Sequence, residues 1–445
     1  MVKHTFPGKE SKLLEFKSKP PKYETLIKTC VAFANASGGR IIIGIDDKTH
    51  EVIGINPTDR EKIYNDFANS LYDSTSPNLV AQIYEQSYDG LSVLIIEIPM
   101  SPRKPYFIKS MGVQNGTYIR VGSSTRKASQ EYIEDLVREA QRIHYDEEIV
   151  HTNIKVISKD LLHDFYGARV TSKRLLADKI TALKPANKEE YCPTVSGTLM
   201  FSENPHHYIP EALIRCTWFK GIDGRHIIRT EDITGTIEQQ AVNSFNIISH
   251  WLTTHFELQG VKLKNQLPIP VEALREAIMN ALLHRKYSIP GAIKIAFFEN
   301  RLEIFNPGCF PGLVDVNSLG DGTTYLRNPT LVRLAYHSKL VETRGTGIRL
   351  IYESCKKLGI KQPIYHEEGD FVKLVFYFEQ DPTAYPNDEK AITAFIKLHH
   401  CVSAQQVADY LSVSRNTAIR KLNHLIELKK IQKLGNGPSV EYKLK

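Results

Sequence analysis

From Gly38 to Asp47 the chain reads G-G-R-I-I-I-G-I-D-D. Arg40–Ile45 is an almost unbroken apolar run, the pattern of a strand covered on both faces rather than one. The glycine pair ahead of it permits a tight turn and close backbone approach. Tyr23–Ser37 reads as a helix, with Leu26, Ile27, Val31 and Ala34 on one face. Leu91–Ile98 and Thr117–Val121 read as further strands, and Gln130–His144 as a closing amphipathic helix. Residues 1–145 are therefore expected to form one domain that alternates helix and strand.

At 445 residues the chain is too long for a single core and should hold about three domains. In residues 146–380, Val195–Phe201 and Ala212–Gly221 read as strands and Thr236–Glu257 as a long helix. Val271–Arg285 is a strong helix. Strands follow at Ala292–Phe298 and Arg301–Phe305, loop signals fill Asn306–Asn328, and a helix covers Thr346–Leu358. Phe371–Phe378 alternates like a final strand, and residues 381–387 read as a linker to a small domain at 388–445. The expected class is multidomain α+β.

The net charge of +7 tilts the partner toward an anion. The six cysteines form no C-x-x-C pair, which disfavours a zinc site and fits reduced thiols. No apolar run approaches the ~20 residues that span a bilayer, and the N-terminus lacks a signal-peptide core. A cytoplasmic protein without a membrane partner is expected. The paired histidines His206-His207 and His399-His400 have no partner at ligand spacing.

Three segments carry chemistry. In the first, a strand at Leu13–Lys17 puts Glu15 and Lys17 on one face. An acid two residues before a lysine is the geometry of many Mg2+- or Mn2+-dependent nucleases. Asp46 and Asp47 end the buried strand, where one could join Glu10 and Glu15 on a hard cation. The alternative is structural, with Glu15 paired to Lys17 or to an arginine. Tyr118 and Arg120 alternate on one strand face, and Ser123, Ser124 and Arg126 follow in a small polar loop. Together they offer stacking and phosphate contacts.

In the second segment, Glu276 and Asn280 are four residues apart on one helical face, which His284 extends. The carboxylate can activate water and the amide oxygen can bind Mg2+. Asn306-Pro307-Gly308 follows a strand, Arg327-Asn328 closes a loop, and Gly345-Thr346-Gly347 opens a helix whose amides can cradle phosphate.

In the third, Ser403 and Gln406 have capping-box spacing, and Ser414 can cap the next helix. Ala418, Leu422 and Leu425 form its inner stripe. Arg415, Asn416, Thr417, Arg420 and Lys421 are left exposed near its start, with Lys433 on a following hairpin. This is helix-turn-helix logic, reading bases with the helix start and touching phosphate with the wing. From Asp388 onward there are 10 Lys+Arg against 5 Asp+Glu, the right sign for DNA. Protein contact is the alternative use of such a module.

E-S-K-L-L-E-F-K, A-F-A-N-A-S-G-G-R-I-I-I-G-I-D-D and G-T-Y-I-R-V-G-S-S-T together resemble the Schlafen-type AlbA-like domain, over about residues 6–142. Eukaryotic Schlafens cleave tRNA and other RNA with two glutamates and an aspartate, which map to Glu10, Glu15 and either Asp46 or Asp47. Prokaryotic relatives are mostly labelled DNA-binding or regulatory, which the resemblance implies as the other use of this domain. The order E-x-x-x-N, strand, N-P-G, loop, G-T-G resembles the GHKL-type ATP-binding fold over roughly 191–378. That resemblance implies ATP, with Glu276 as base and Asn280 as metal ligand. The usual D-x-G-x-G is here Asn306-Pro307-Gly308, so an asparagine stands where an aspartate reads adenine. The tail resembles bacterial winged helices.

The leading expectation is a nucleic-acid-binding transcriptional regulator, taking DNA or RNA, whose conformation or homo-oligomeric state responds to ATP. The alternative is a metal-dependent endoribonuclease or DNase, gated by the other domains.

Overall fold

The computed structural model describes residues 5–88, 90–258, 267–312, 314, 316, 319–323, 325–341, 346–368, 370–378, 388–411, 413–435 and 440–445. It is a mixed α+β protein of several domains. The expected linker at 381–387 lies outside the described residues, as do Gly345 and the hairpin tip at Asn436-Gly437. Among the described residues no helix is long and apolar enough to cross a membrane.

The N-terminal sheet joins β1 (Leu14–Lys17), β2 (Gly39–Ile43), β3 (Gln82–Tyr88) and β4 (Leu91–Ile98) in the order β1-β2-β4-β3. Strands β1 and β2 are parallel, and α1 (Tyr23–Asn35) connects them. The G-G-R-I-I-I-G-I run is covered on both faces, as its pattern requires. Ile41 and Ile43 pack with Leu26, Cys30 and Phe33 of α1. Ile42 and Ile45 pack with Phe16, Val93 and Ile95 on the other side. A Cβ at Gly39 would sit 2.3 Å from the Phe33 ring, so the second glycine is what lets α1 return this close. The hairpin β5 (Tyr118–Val121) and β6 (Ser124–Lys127) leads to α2 (Gln130–Gln141).

One expected strand is a helix. Val195–Phe201 forms α3, with all seven residues buried. A short apolar run buried on every side carries no period that distinguishes helix from strand. The deciding local feature is Thr194, whose hydroxyl accepts from Gly197 N at 3.0 Å and caps the helix. Gly197 is also where the helix meets the Ile180 carbonyl, which a Cβ would approach to 2.0 Å.

The central sheet contains β7 (Ile214–Lys220), β8 (His226–Ile233), β9 (Ile293–Phe297), β10 (Arg301–Pro307), β11 (Ile364–Glu368) and β12 (Phe371–Tyr377). Their order is β8-β7-β9-β10-β12-β11. The helices α4 (Ile237–Leu258), α5 (Val271–His284), α6 (Pro329–His337) and α7 (Gly347–Leu358) share one large core with it. Trp251, Leu274, Ile278, Phe297 and Phe376 sit at its centre.

The C-terminal unit has α8 (Asp388–His399), α9 (Ala404–Leu411) and α10 (Arg415–Glu427). Its three-stranded sheet runs β13 (Val402–Ser403), β15 (Glu441–Leu444), β14 (Ile431–Leu434). Ser403 Oγ accepts from Gln406 N at 3.2 Å while Gln406 Oε1 accepts from Ser403 N at 2.7 Å, a reciprocal capping box. Ala418, Leu422 and Leu425 are wholly buried.

Candidate functional site

Among the described residues the expected nuclease carboxylates form no three-member metal-ligand group, although Glu10 and Glu15 both lie near the Arg120 guanidinium. Glu15 and Lys17 share a face of β1 and form an ion pair at 2.9 Å. Glu15 is buried, and its other oxygen takes the Arg120 guanidinium from β5. Glu10 accepts from Phe16 N at 2.9 Å and so braces the turn into β1. Asp46 caps its own loop, accepting from Thr49 N at 2.8 Å and Lys48 N at 3.0 Å. Those backbone amides hold its carboxyl below the usual range. Asp47 is exposed beside it. Among the described residues no group of three His, Cys, Asp or Glu side chains could hold a metal ion.

Arg120 departs from its expected role as a phosphate contact. Its side chain is 1% exposed and cannot reach a strand of nucleic acid. It donates to Thr125 Oγ1 at 2.9 Å, Ser11 O at 3.0 Å and Ser123 O at 2.7 Å, and lies 4.8 Å over the Phe33 ring. It therefore fastens the β5–β6 hairpin to β1 and α1. Ser123, Ser124 and Arg126 are exposed, and Tyr118 is half-buried beneath Lys28. Asn35 was not singled out from sequence. It is buried, donates to the Tyr106 and Tyr118 carbonyls and accepts from Tyr106 N, so it fixes the same hairpin from α1.

The central expectations converge much better. A cavity of about 450 Å³ is lined by Glu276, Asn280, His284, Asn306, Gly308, Arg327 and Gly347. Apolar wall comes from Ala277, Ile304, Val332, Val372 and Leu374. Helix α5 supplies Glu276 and Asn280 one turn apart, and the first turn of α7 faces them. A Cβ at Gly347 would lie 1.9 Å from Glu276 Oε1 and 3.1 Å from Asn280 Nδ2. Glycine at this point lets the helix start approach both side chains. Thr346 stands at the cap position and is exposed.

Asn306, at the end of β10, has a buried Oδ1 with no hydrogen-bond partner among the described residues. A buried acceptor left unpaired costs about 1–3 kcal/mol, and a bound donor would recover it. Gly308 has φ +104°, and a Cβ there would meet Arg327 Nη1 at 2.5 Å and Lys286 Cβ at 2.6 Å. Arg327 spans the cavity wall, donating to the His284 carbonyl at 2.7 Å and to the Cys309 carbonyl. Burial, together with the charge of Arg327, pushes the His284 imidazole down to about 4. At neutral pH it is an uncharged wall residue.

Asn328 falls outside this cavity. It is fully buried, and its Nδ2 donates to the Leu283 and Arg285 carbonyls, tying the end of α5 to the start of α6. From the first turn of α7, sequence reasoning also missed Arg349, which lines the cavity and pairs with Glu353 at 2.9 Å.

In the C-terminal unit Ser414 Oγ accepts from Thr417 N at 3.3 Å. Arg415, Asn416, Arg420 and Lys433 are exposed, while Thr417 and Lys421 are half-buried.

Comparison with known proteins places two of these regions. Residues 10–129 match the Schlafen AlbA_2 family. Residues 291–376 match HATPase_c_4, described as "Putative ATP-dependent DNA helicase recG C-terminal". The second match begins after the helix that bears Glu276 and Asn280. No curated protein matches the chain. Among solved structures, DIP2311 from Corynebacterium diphtheriae is 16% identical at a TM-score of 0.42, over 98% of this chain and 95% of that one. The N-terminal domain of a RecG-related protein from Nitrosomonas europaea is 27% identical at a TM-score of 0.21, over 27% of this chain and 84% of that one. The chain thus joins a region that matches Schlafen AlbA_2 to a region that matches HATPase_c_4.

Proposed function

We propose that this protein is a nucleic-acid-binding regulator whose conformation or oligomeric state follows ATP occupancy of the central cavity. The observation that carries the reading is the buried Oδ1 of Asn306 in the cavity wall, unpaired among the described residues. The exocyclic amino group of adenine would satisfy that acceptor, and the asparagine amide could donate to a neighbouring ring nitrogen. The residues fit the rest of the nucleotide as well. The Gly347 helix start offers backbone amides to phosphate, Asn280 offers an amide oxygen to Mg2+, and Glu276 stands beside both. Glu276 is the base of this proposal, should ATP be hydrolysed.

The C-terminal unit supplies duplex contact as a winged helix. Its helix start presents Arg415, Asn416 and Arg420 to solvent, with Thr417 and Lys421 behind them and Lys433 on the wing. A second contact comes from the exposed Ser123, Ser124 and Arg126 of the N-terminal domain, beside Tyr118.

Calorimetric titration with Mg·ATP tests the cavity, with Asn306→Leu as the control. Wild type should bind, and the variant should lose roughly 10-fold or more in affinity. Fluorescence anisotropy with duplex DNA and with RNA, repeated across salt concentrations, tests the partner. Absent or salt-insensitive binding to every nucleic acid tried would refute the regulator reading.

A further inference from the structure

We infer that Lys12 and Tyr132, which lie outside the central cavity, are positioning residues for it, so that the nucleotide site is built jointly by the N-terminal and central domains. The inference rests on the reading of that cavity as a nucleotide site.

The cavity wall at Cys309-Phe310-Pro311 has two sides. Inward it lines the 450 Å³ cavity, together with Tyr325 and Arg327. Outward the same five residues line a second cleft, about 550 Å³, between the N-terminal and central domains. A thin wall without backing would be free to shift. Here the N-terminal domain supplies the backing. Lys12 Nζ donates to the Phe310 carbonyl at 2.7 Å and to Glu367 Oε1 at 2.5 Å. The same Glu367 oxygen accepts from Phe310 N at 2.6 Å. Both peptide groups of Phe310 are thereby held, one directly and one through Glu367. The two charged side chains are 9% and 5% exposed, so water competes weakly for either.

A second brace lies beside the first. Tyr132 of α2 donates to Asp370 Oδ1 at 3.2 Å and touches Cys309 Sγ at 3.9 Å. Asp370 O accepts from Gly308 N at 2.6 Å, so the tyrosine grips the residue that anchors the glycine turn. Lys286 sits 3.3 Å over the Tyr132 ring and pairs with Asp135 on the same helix. Neither Lys12 nor Tyr132 lines the nucleotide cavity, so each acts on it through the wall.

Lys12 lies between Glu10 and Glu15, in the segment that opens the AlbA_2 match. Thermodynamic linkage then works in both directions. If Lys12 improves nucleotide binding by holding the wall, bound nucleotide strengthens the hold on residues 10–17 by the same factor.

The test uses the full chain with Mg·ATP as the probe. Lys12→Met should weaken ATP binding by roughly 10-fold, within the usual range of coupling between sites. Lys12→Arg, which restores a charged donor, should recover most of the affinity. In wild type, ATP should slow amide exchange across residues 10–17, and Lys12→Met should abolish that slowing. Tyr132→Phe removes only the hydroxyl contact. It provides an independent reading should Lys12→Met fail to fold, with a smaller loss expected in the same direction. Equal ATP affinity in wild type, Lys12→Met and Tyr132→Phe, with exchange at 10–17 unaltered by ATP, would overturn the inference and leave the cavity reading intact. No ATP binding by wild type would sink both.

Discussion

Arg120→Met should destabilise the N-terminal domain by about 3–5 kcal/mol, and the cost should be recovered when Glu15 is removed with it. Methionine keeps much of the packing over Phe33 but withdraws the guanidinium. Glu15, 8% exposed, is then left with Lys17 as its charged partner. Breaking a buried ion pair from one side costs about 3–5 kcal/mol, because the surviving charge stays buried. The Ser11 and Ser123 carbonyls also lose a donor, but Ser123 is exposed and water replaces much of it. The double variant Glu15→Leu/Arg120→Met strands no charge. It should lie within about 1–2 kcal/mol of wild type, giving a coupling energy of at least about 2 kcal/mol. Several domains make whole-chain unfolding unsuited to a two-state analysis. Amide exchange at Gly39–Ile43, the strand beside β1, reads the local free energy instead. A loss below about 1 kcal/mol in the single variant would refute this reasoning. So would unchanged exchange combined with weakened nucleic-acid binding, because Arg120 would then be facing a phosphate.

Gly308→Ala should lower the melting temperature and abolish ATP binding, since the Cβ meets Arg327 and Lys286 at a positive φ. Burial raises the Asp146 carboxyl to about 7, while Leu331 N donates to its Oδ2 at 2.8 Å. Between pH ~4 and ~7 the folded state therefore holds a proton that the unfolded chain releases. Stability should fall with rising pH there, by up to about 1.4 kcal/mol per pH unit, and level off above 7. Asp146→Asn should flatten that slope in melts taken from pH 5 to 8. ATP affinity should show no imidazole titration from pH 5.5 to 8, because His284 already titrates near 4. Arg415→Ala and Arg420→Ala should each reduce the salt slope of DNA binding by about 1, measured by anisotropy.

What could be read from the sequence follows the range of the interaction. The capping box at Ser403 depends on a neighbour three residues away, and the two-sided burial of Ile41–Ile43, though made by distant partners, leaves an unbroken apolar run in the local sequence, so local pattern revealed both. The same holds for Glu276 and Asn280, which one helical turn places on a single face. Arg120 was misjudged because alternation along a strand says which face a side chain takes, not what covers that face. Its partner Glu15 is 105 residues away. Asn35 was missed for the same reason, with partners 71 and 83 residues distant. Lys12 was the least legible of all. Its two acceptors lie 298 and 355 residues along the chain, and nothing near it marks a lysine that will be buried. Val195–Phe201 failed differently, since complete burial erases the periodicity on which the reading relies.

The short turn at Tyr145–Glu147 has a bearing on how such chains are assembled over evolutionary time. Asp146 caps α6 from outside it, Glu147 takes the Thr330 hydroxyl at 3.1 Å, and Ser196 Oγ reaches back to the Asp146 carbonyl at 2.7 Å. This turn lies beyond residue 129, where the AlbA_2 match ends, and before residue 291, where the second match begins. A recombination event that transplanted the second matched region at its margins would leave the turn with a different parent from the helix it caps. The helix start following Asn328 would then lose its cap, and the unit carrying the nucleotide cavity would arrive with an open seam. The central unit should therefore travel with the stretch 130–148, and chimeras joined after residue 148 should melt lower than those joined at residue 129.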